Sequence, residues 1–197
     1  DKVFDMLQIR PIVDSPSNRS LDWDQVDTSG ALIYAESALG LGAIEGVTDV
    51  VYIRPDRFDT AHTQQMADEV NRLNTELRDQ KRSYVLVGPG RWGSSDPWLG
   101  VPVKWPHISE AKVIVECGLE NFRVEPSQGT HFFQNLTSFG VGYMTISPFL
   151  GDGAFDAAQL DGEQAVYESE LVRHVRFTEP LYIYVDGRKN KGIIRKG

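Results

Sequence analysis

An α/β fold with a mixed sheet is what this 197-residue sequence predicts, and three observations predict it. Two short, continuously apolar runs, SYVLVG (83–88) and EAKVIVECG (110–118), have the length and composition of strands buried on both faces. One long amphipathic helix precedes them, with Met66, Val70, Leu73 and Leu77 in a single apolar stripe. Strand-like runs outnumber helical ones overall, and the two alternate in the middle of the chain.

Taken in order, VFDMLQI (3–9) reads as a strand that stops at Pro11. A stretch rich in Ser, Asp, Asn and Pro follows, and residues 14–29 read as a linker between residues 1–13 and a main domain of residues 30–197. ALIYAES and DVVYIRP are strands, with glycine turns in ALGLGAIEGV between them. The helix runs from about Thr60 to Lys81; Asp59 is its N-cap, and Arg78, Lys81 and Arg82 suit the negative end of its dipole. His62, in its first turn among polar neighbours, reads as exposed. NFRVEP is a further strand, Phe132–Phe139 a short helix, and VGYMTIS a strand. GDGAFDAAQLDGEQ is a loop with a helical turn; ELVRHVRF and LYIYVDGRKNKGIIRK are closing strands, the last run folding back on itself through a glycine-containing turn.

Charge narrows the partners. The net charge is −8, yet residues 188–197 hold five basic side chains and no acidic one, so the body up to residue 187 carries 15 basic against 28 acidic residues. An acidic body argues against nucleic acid, whose phosphates require clustered positive charge. No run approaches membrane-spanning length, so no membrane is expected. The opening DKVFDMLQIRP has no signal-peptide features and no initiating methionine, which reads as a piece of a longer chain. A single cysteine, Cys117, inside AKVIVECGL, excludes an internal disulfide, fits a reducing cytoplasm and reads as core.

The densest stretch is VGPGRWGSSDPWLGVPVKW (87–105), directly after a strand. Gly88, Gly90 and Gly93 let backbone N–H groups approach a ligand, Arg91 and Lys104 add positive charge, and Trp92, Trp98 and Trp105 offer stacking faces. It is not a phosphate-binding P-loop, lacking Gly-Lys-Ser/Thr, and its prolines forbid the helix that a dinucleotide fingerprint needs. Two readings stand: a ligand loop in which Gly88, Gly90, Arg91 and Lys104 contact the ligand, or an ordered loop whose tryptophans cap the core, pinned by Asp96 and Arg91. His107 and His174 have no partners at metal-ligand spacing, so no metal site is expected. Glu116, Glu120 and Glu125 lie near the glycine-rich segment, and spacing alone does not pair them.

Leu7-Gln8-Ile9-Arg10-Pro11 resembles the closing strand of the ATP-grasp domain in the phosphoenolpyruvate synthase and pyruvate phosphate dikinase family. The resemblance implies that Gln8 and Arg10 face ATP phosphates and metal, that residues 1–13 end an upstream ATP-grasp domain, and that ATP and Mg serve the longer protein but not this piece alone. A swivelling β/β/α domain carrying a phosphohistidine comes next in that family, and GTHFFQNLTSFGVGYMTI is similar to its Gly-Gly-x-Thr-x-His-Ala-Ala motif, helix and strand. Here Gln128 stands at one glycine, Thr130 and His131 are adjacent, and Phe132 and Phe133 stand at the alanines. The resemblance implies Thr130 and His131 as catalytic residues, His131 the phosphoryl carrier at a helix N-terminus, where free N–H groups favour an anion. The function expected is the C-terminal part of an ATP-dependent phosphotransferase. The alternative is a module without chemistry that binds a phosphorylated small molecule or docks on the upstream ATP-grasp domain and completes it.

Overall fold

The computed structural model describes residues 21–125, 136 and 139–197. Within them lie fourteen strands: β1 (Ile33–Ala35), β2 (Ser37–Leu39), β3 (Leu41–Ile44), β4 (Asp49–Ile53), β5 (Tyr84–Pro89), β6 (Arg91–Trp92), β7 (Gly100–Val101), β8 (Ala111–Cys117), β9 (Gly142–Ile146), β10 (Ala154–Phe155), β11 (Ala165–Glu168), β12 (Val172–Arg176), β13 (Tyr182–Asp186) and β14 (Lys191–Arg195). Two α-helices accompany them, α1 (Thr63–Asp79) and α2 (Ala157–Asp161). The chain is an α/β protein with a mixed sheet, as the sequence predicts, together with a second, antiparallel sheet.

The mixed sheet has seven strands in the order β11-β12-β4-β5-β8-β9-β2. β4, β5, β8 and β9 run parallel, and β12, β11 and β2 close its edges antiparallel. The parallel strands contain the continuously apolar runs, because both of their faces are covered. On one face, Val51, Ile53, Leu86, Ile114 and Tyr143 meet Met66, Val70, Leu73 and Leu77 of α1, together with Trp92, Val101, Ile108 and Leu136. On the other, Val50, Tyr52, Val85, Val87, Val113, Val115 and Met144 meet Ile33, Ile183, Val185 and Ile194 of the five-stranded antiparallel sheet, ordered β10-β1-β14-β13-β3. The fold is thus three layers: helix and loop, mixed sheet, antiparallel sheet. Each fully buried side chain of these two interfaces contributes roughly 1.5–3 kcal/mol of transfer free energy.

Several boundaries differ from expectation for local reasons. The α-helix occupies 63–79, its entry being a 3-10 turn, Thr60–His62, capped by the Asp59 carboxylate on the Ala61 N–H at 2.9 Å. His62 is half exposed, as expected. The glycine-rich stretch after β1 is not only turn: it holds β2 and β3, which belong to different sheets. NFRVEP forms no strand in its described part; Phe122 makes a single antiparallel bridge to Leu119. The loop after β9 contains β10 and α2, with Asp156 capping the helix through the Gln159 N–H. β11 was not legible, since two of its four residues, Val166 and Glu168, are exposed and only one face is covered. The described part of the expected linker packs on the outer face of the antiparallel sheet, where Trp23 Nε1–H donates to Asp186 Oδ2 at 3.2 Å. Gln8, Arg10, Thr130, His131 and the body of the Phe132–Phe139 helix lie outside the described residues.

Candidate functional site

Parallel strands end together, and their carboxyl edge is where α/β proteins gather ligands. Here β5, β8 and β9 end around a cleft of about 150 Å³, lined by Gly90, Glu116, Gly118, Thr145, Ser147 and Asp152, with Ser37 and Val124 at its rim. Ser37 reaches it because β2 runs antiparallel to β9 and places Ser37 opposite Thr145. The Thr145 hydroxyl donates to Ser37 Oγ at 3.0 Å, so the two hydroxyls form one polar wall.

Glu116 organises the floor. It is almost fully buried at the end of β8. Its Oε1 accepts from the Trp92 N–H at 3.0 Å and its Oε2 from the Tyr143 hydroxyl at 2.6 Å. The Trp92 indole N–H in turn donates to the Val115 carbonyl at 3.1 Å. One carboxylate therefore ties β8, β9 and the glycine-rich loop into a single unit, a role invisible in linear spacing.

The loop itself is explained by packing. A β-carbon on Gly88 would meet the Trp92 ring at 2.4 Å, so glycine stands there to admit the indole. Gly90 has φ +65°, and a β-carbon there would meet Phe122 at 2.5 Å. The N–H of Gly90 donates to Cys117 O, that of Arg91 to Leu99 O and that of Gly93 to Val101 O. The N–H cradle expected at Gly90 and Gly93 is therefore spent on the fold. Arg91 turns its Nε–H to the Glu125 carbonyl at 2.6 Å, and Lys104 is exposed with its N–H on His107 Nδ1; neither lines the cleft. Of the glycines named from sequence, Gly90 alone reaches it. The tryptophans divide: Trp92 is buried, Trp105 stacks on Phe139 with ring centroids 5.0 Å apart, and Trp98 is 72% exposed.

Cys117 borders the cleft but is chemically quiet. Burial pushes its thiol up to about 12. The thiolate that reacts with alkylating agents is therefore scarce at pH 8. Cys117 is expected to resist iodoacetamide in the native state for hours and to react within minutes in denaturant, measured by mass; rapid native labelling would contradict its burial.

A second polar cluster sits at the opposite, amino edge. Asp49 opens β4 and is fully buried. Its Oδ1 accepts from His174 Nε2 at 2.7 Å and Arg176 Nε at 2.7 Å; its Oδ2 accepts from Thr48 Oγ1 at 2.8 Å and Arg82 Nε at 2.9 Å. Burial alone would raise its pKa, but these four donors outweigh burial and hold the carboxyl well below the usual carboxylate range. An ionised carboxylate only accepts, which fixes His174 with its proton on Nε2. His174 and Arg176 both reach Asp49 because residues two apart on β12 share a face. That alternation, beside an aspartate opening an apolar strand, was the available sequence signal.

The described residues offer no cluster of three or more His, Cys, Asp or Glu able to hold a metal. Within the cleft, Glu116 already accepts from the Trp92 N–H and the Tyr143 hydroxyl. No described helix is long and apolar enough to cross a membrane. In comparison with known proteins, the chain matches no family model, no curated sequence and no solved structure.

Proposed function

We propose that this chain is the C-terminal part of an ATP-dependent phosphotransferase related to the phosphoenolpyruvate synthases, and that the cleft at the ends of β5, β8 and β9 is where it handles the transferred group. The single observation that carries this reading is the cleft's position and lining: three hydroxyls and two carboxylates at the carboxyl edge of parallel strands. Chain connectivity supports it. Val124 lines the cleft, and His131 follows Glu125 by six positions. The single buried cysteine fits a cytoplasmic setting.

A second reading, a module that binds a phosphorylated molecule without chemistry, is favoured by Glu116 and the loop N–H groups being bonded within the fold. Label transfer separates the two. The chain is joined to the upstream ATP-binding domain that the resemblance implies and incubated with ATP labelled at the β-phosphate. The carrier reading expects acid-labile label on this chain, absent from His131→Ala. Label that persists in His131→Ala removes His131 as carrier, and no label on this chain leaves the binding module.

A further inference from the structure

We propose a second ligand site, independent of the cleft: a phosphate-binding pocket at the amino edge of the parallel strands, built by Lys81, Arg82 and Lys112. The pocket has a volume of about 320 Å³ and is also lined by Thr48, Asp49 and Ser83. Three cations around one concavity are unusual in a body as acidic as residues 1–187.

Charge accounting favours an anion there. Asp49, the buried lining carboxylate, is already matched by Arg82 and by Arg176 behind it. Glu45 is the remaining acid of the lining. Against it stand Lys81 and Lys112, both exposed and neither in an ion pair among the described residues. Arg82 is fixed: Nε holds Asp49 and Nη2 holds the Thr48 hydroxyl, which leaves the rest of a one-third-exposed guanidinium at the pocket. A guanidinium set in advance, with two exposed ammonium groups beside it, suits the spread charge of a phosphate dianion.

One detail resists a purely structural explanation. Lys81 has φ +57°, in the left-handed region just past the end of α1, where glycine is the usual occupant and a β-carbon is strained. A cation near a helix C-terminus does complement its dipole, which covers Lys81 and Arg82. It does not cover Lys112, which comes from β8 and turns its exposed side chain into the same pocket.

The test is titration of the whole chain with inorganic phosphate and, separately, glycerol 3-phosphate at low salt, read by calorimetry and by amide shifts. Saturable binding is expected, with shifts at Lys81, Ser83 and Lys112 and weakening by added salt. The double variant Lys81→Gly, Lys112→Gln should bind about tenfold more weakly. Lys81→Gly alone should unfold at the same or a higher temperature without phosphate, because glycine relieves the backbone strain. Weaker binding in a chain that is no less stable separates a ligand role from a structural one. Tighter binding of the ester identifies an organic phosphate as occupant; tighter binding of the free ion identifies inorganic phosphate. Equal binding by wild type and the double variant, or no binding at millimolar phosphate, overturns the proposal. Ser37→Ala with Thr145→Val should leave this binding unchanged, so its failure and that of the cleft reading are told apart.

Discussion

Asp49→Ala is expected to cost roughly 3–5 kcal/mol of folding stability, the loss typical when one member of a buried charge network is removed. The cause is what the substitution leaves behind. Arg82 Nε, Arg176 Nε, His174 Nε2 and the Thr48 hydroxyl all converge on this carboxylate, and the site is fully buried. Without it, two guanidinium groups face each other across the start of β4. A domain of this kind has a total stability of about 5–15 kcal/mol, so the shift would dominate a urea-unfolding midpoint. Asp49→Asn should cost less, since it keeps the shape and one acceptor. The acid limb follows from the depressed pKa. In the unfolded chain Asp49 titrates near the ordinary value of about 3.9. Its contribution is complete above that pH and is lost as pH falls through the lower folded value. Wild type should therefore weaken steadily below about pH 4, and Asp49→Asn should show a shallower slope there. An equal slope in both would contradict the network.

Glu116→Ala is expected to cost about 3 kcal/mol, because two buried donors lose their partner and each buried group left unsatisfied costs roughly 1–3 kcal/mol. The donors are the Trp92 N–H and the Tyr143 hydroxyl. Its consequence is local as well as global. Trp92 holds the segment between β5 and β8 against the sheet, so cleavage by a protease at residues 93–99 should become faster at a urea concentration that leaves wild type intact. Glu116→Gln keeps one acceptor and should fall between the two. A Glu116→Ala chain as stable as wild type, with unchanged cleavage, would show that the carboxylate does not organise the cleft.

The layers of the fold were legible because they rest on short-range patterns. The stripe of Met66, Val70, Leu73 and Leu77 needs only the 3.6-residue period, and YVLVG and AKVIVEC need only two buried faces. Cys117 could be assigned to the core from its apolar neighbours. The sites were much less legible, since each is made by register across strands. Glu116 meets Tyr143 because β8 and β9 pair in parallel, and Ser37 meets Thr145 because β2 pairs with β9. Asp49 and His174 are 125 positions apart. The glycines at 88 and 90 left a ligand loop and a packed loop both open in the sequence, because glycine permits close ligand approach and close packing alike; in the structure Trp92 and Phe122 lie against them.

Amide-shift mapping of the whole chain during titration with phosphoenolpyruvate tests the cleft most directly. Perturbations centred on Ser37, Gly118, Thr145 and Ser147 are expected, and so is their loss in the Ser37→Ala, Thr145→Val variant. Perturbations confined to Lys81, Ser83 and Lys112, or none at all, would contradict the cleft at the ends of β5, β8 and β9 as the place where this chain handles its ligand.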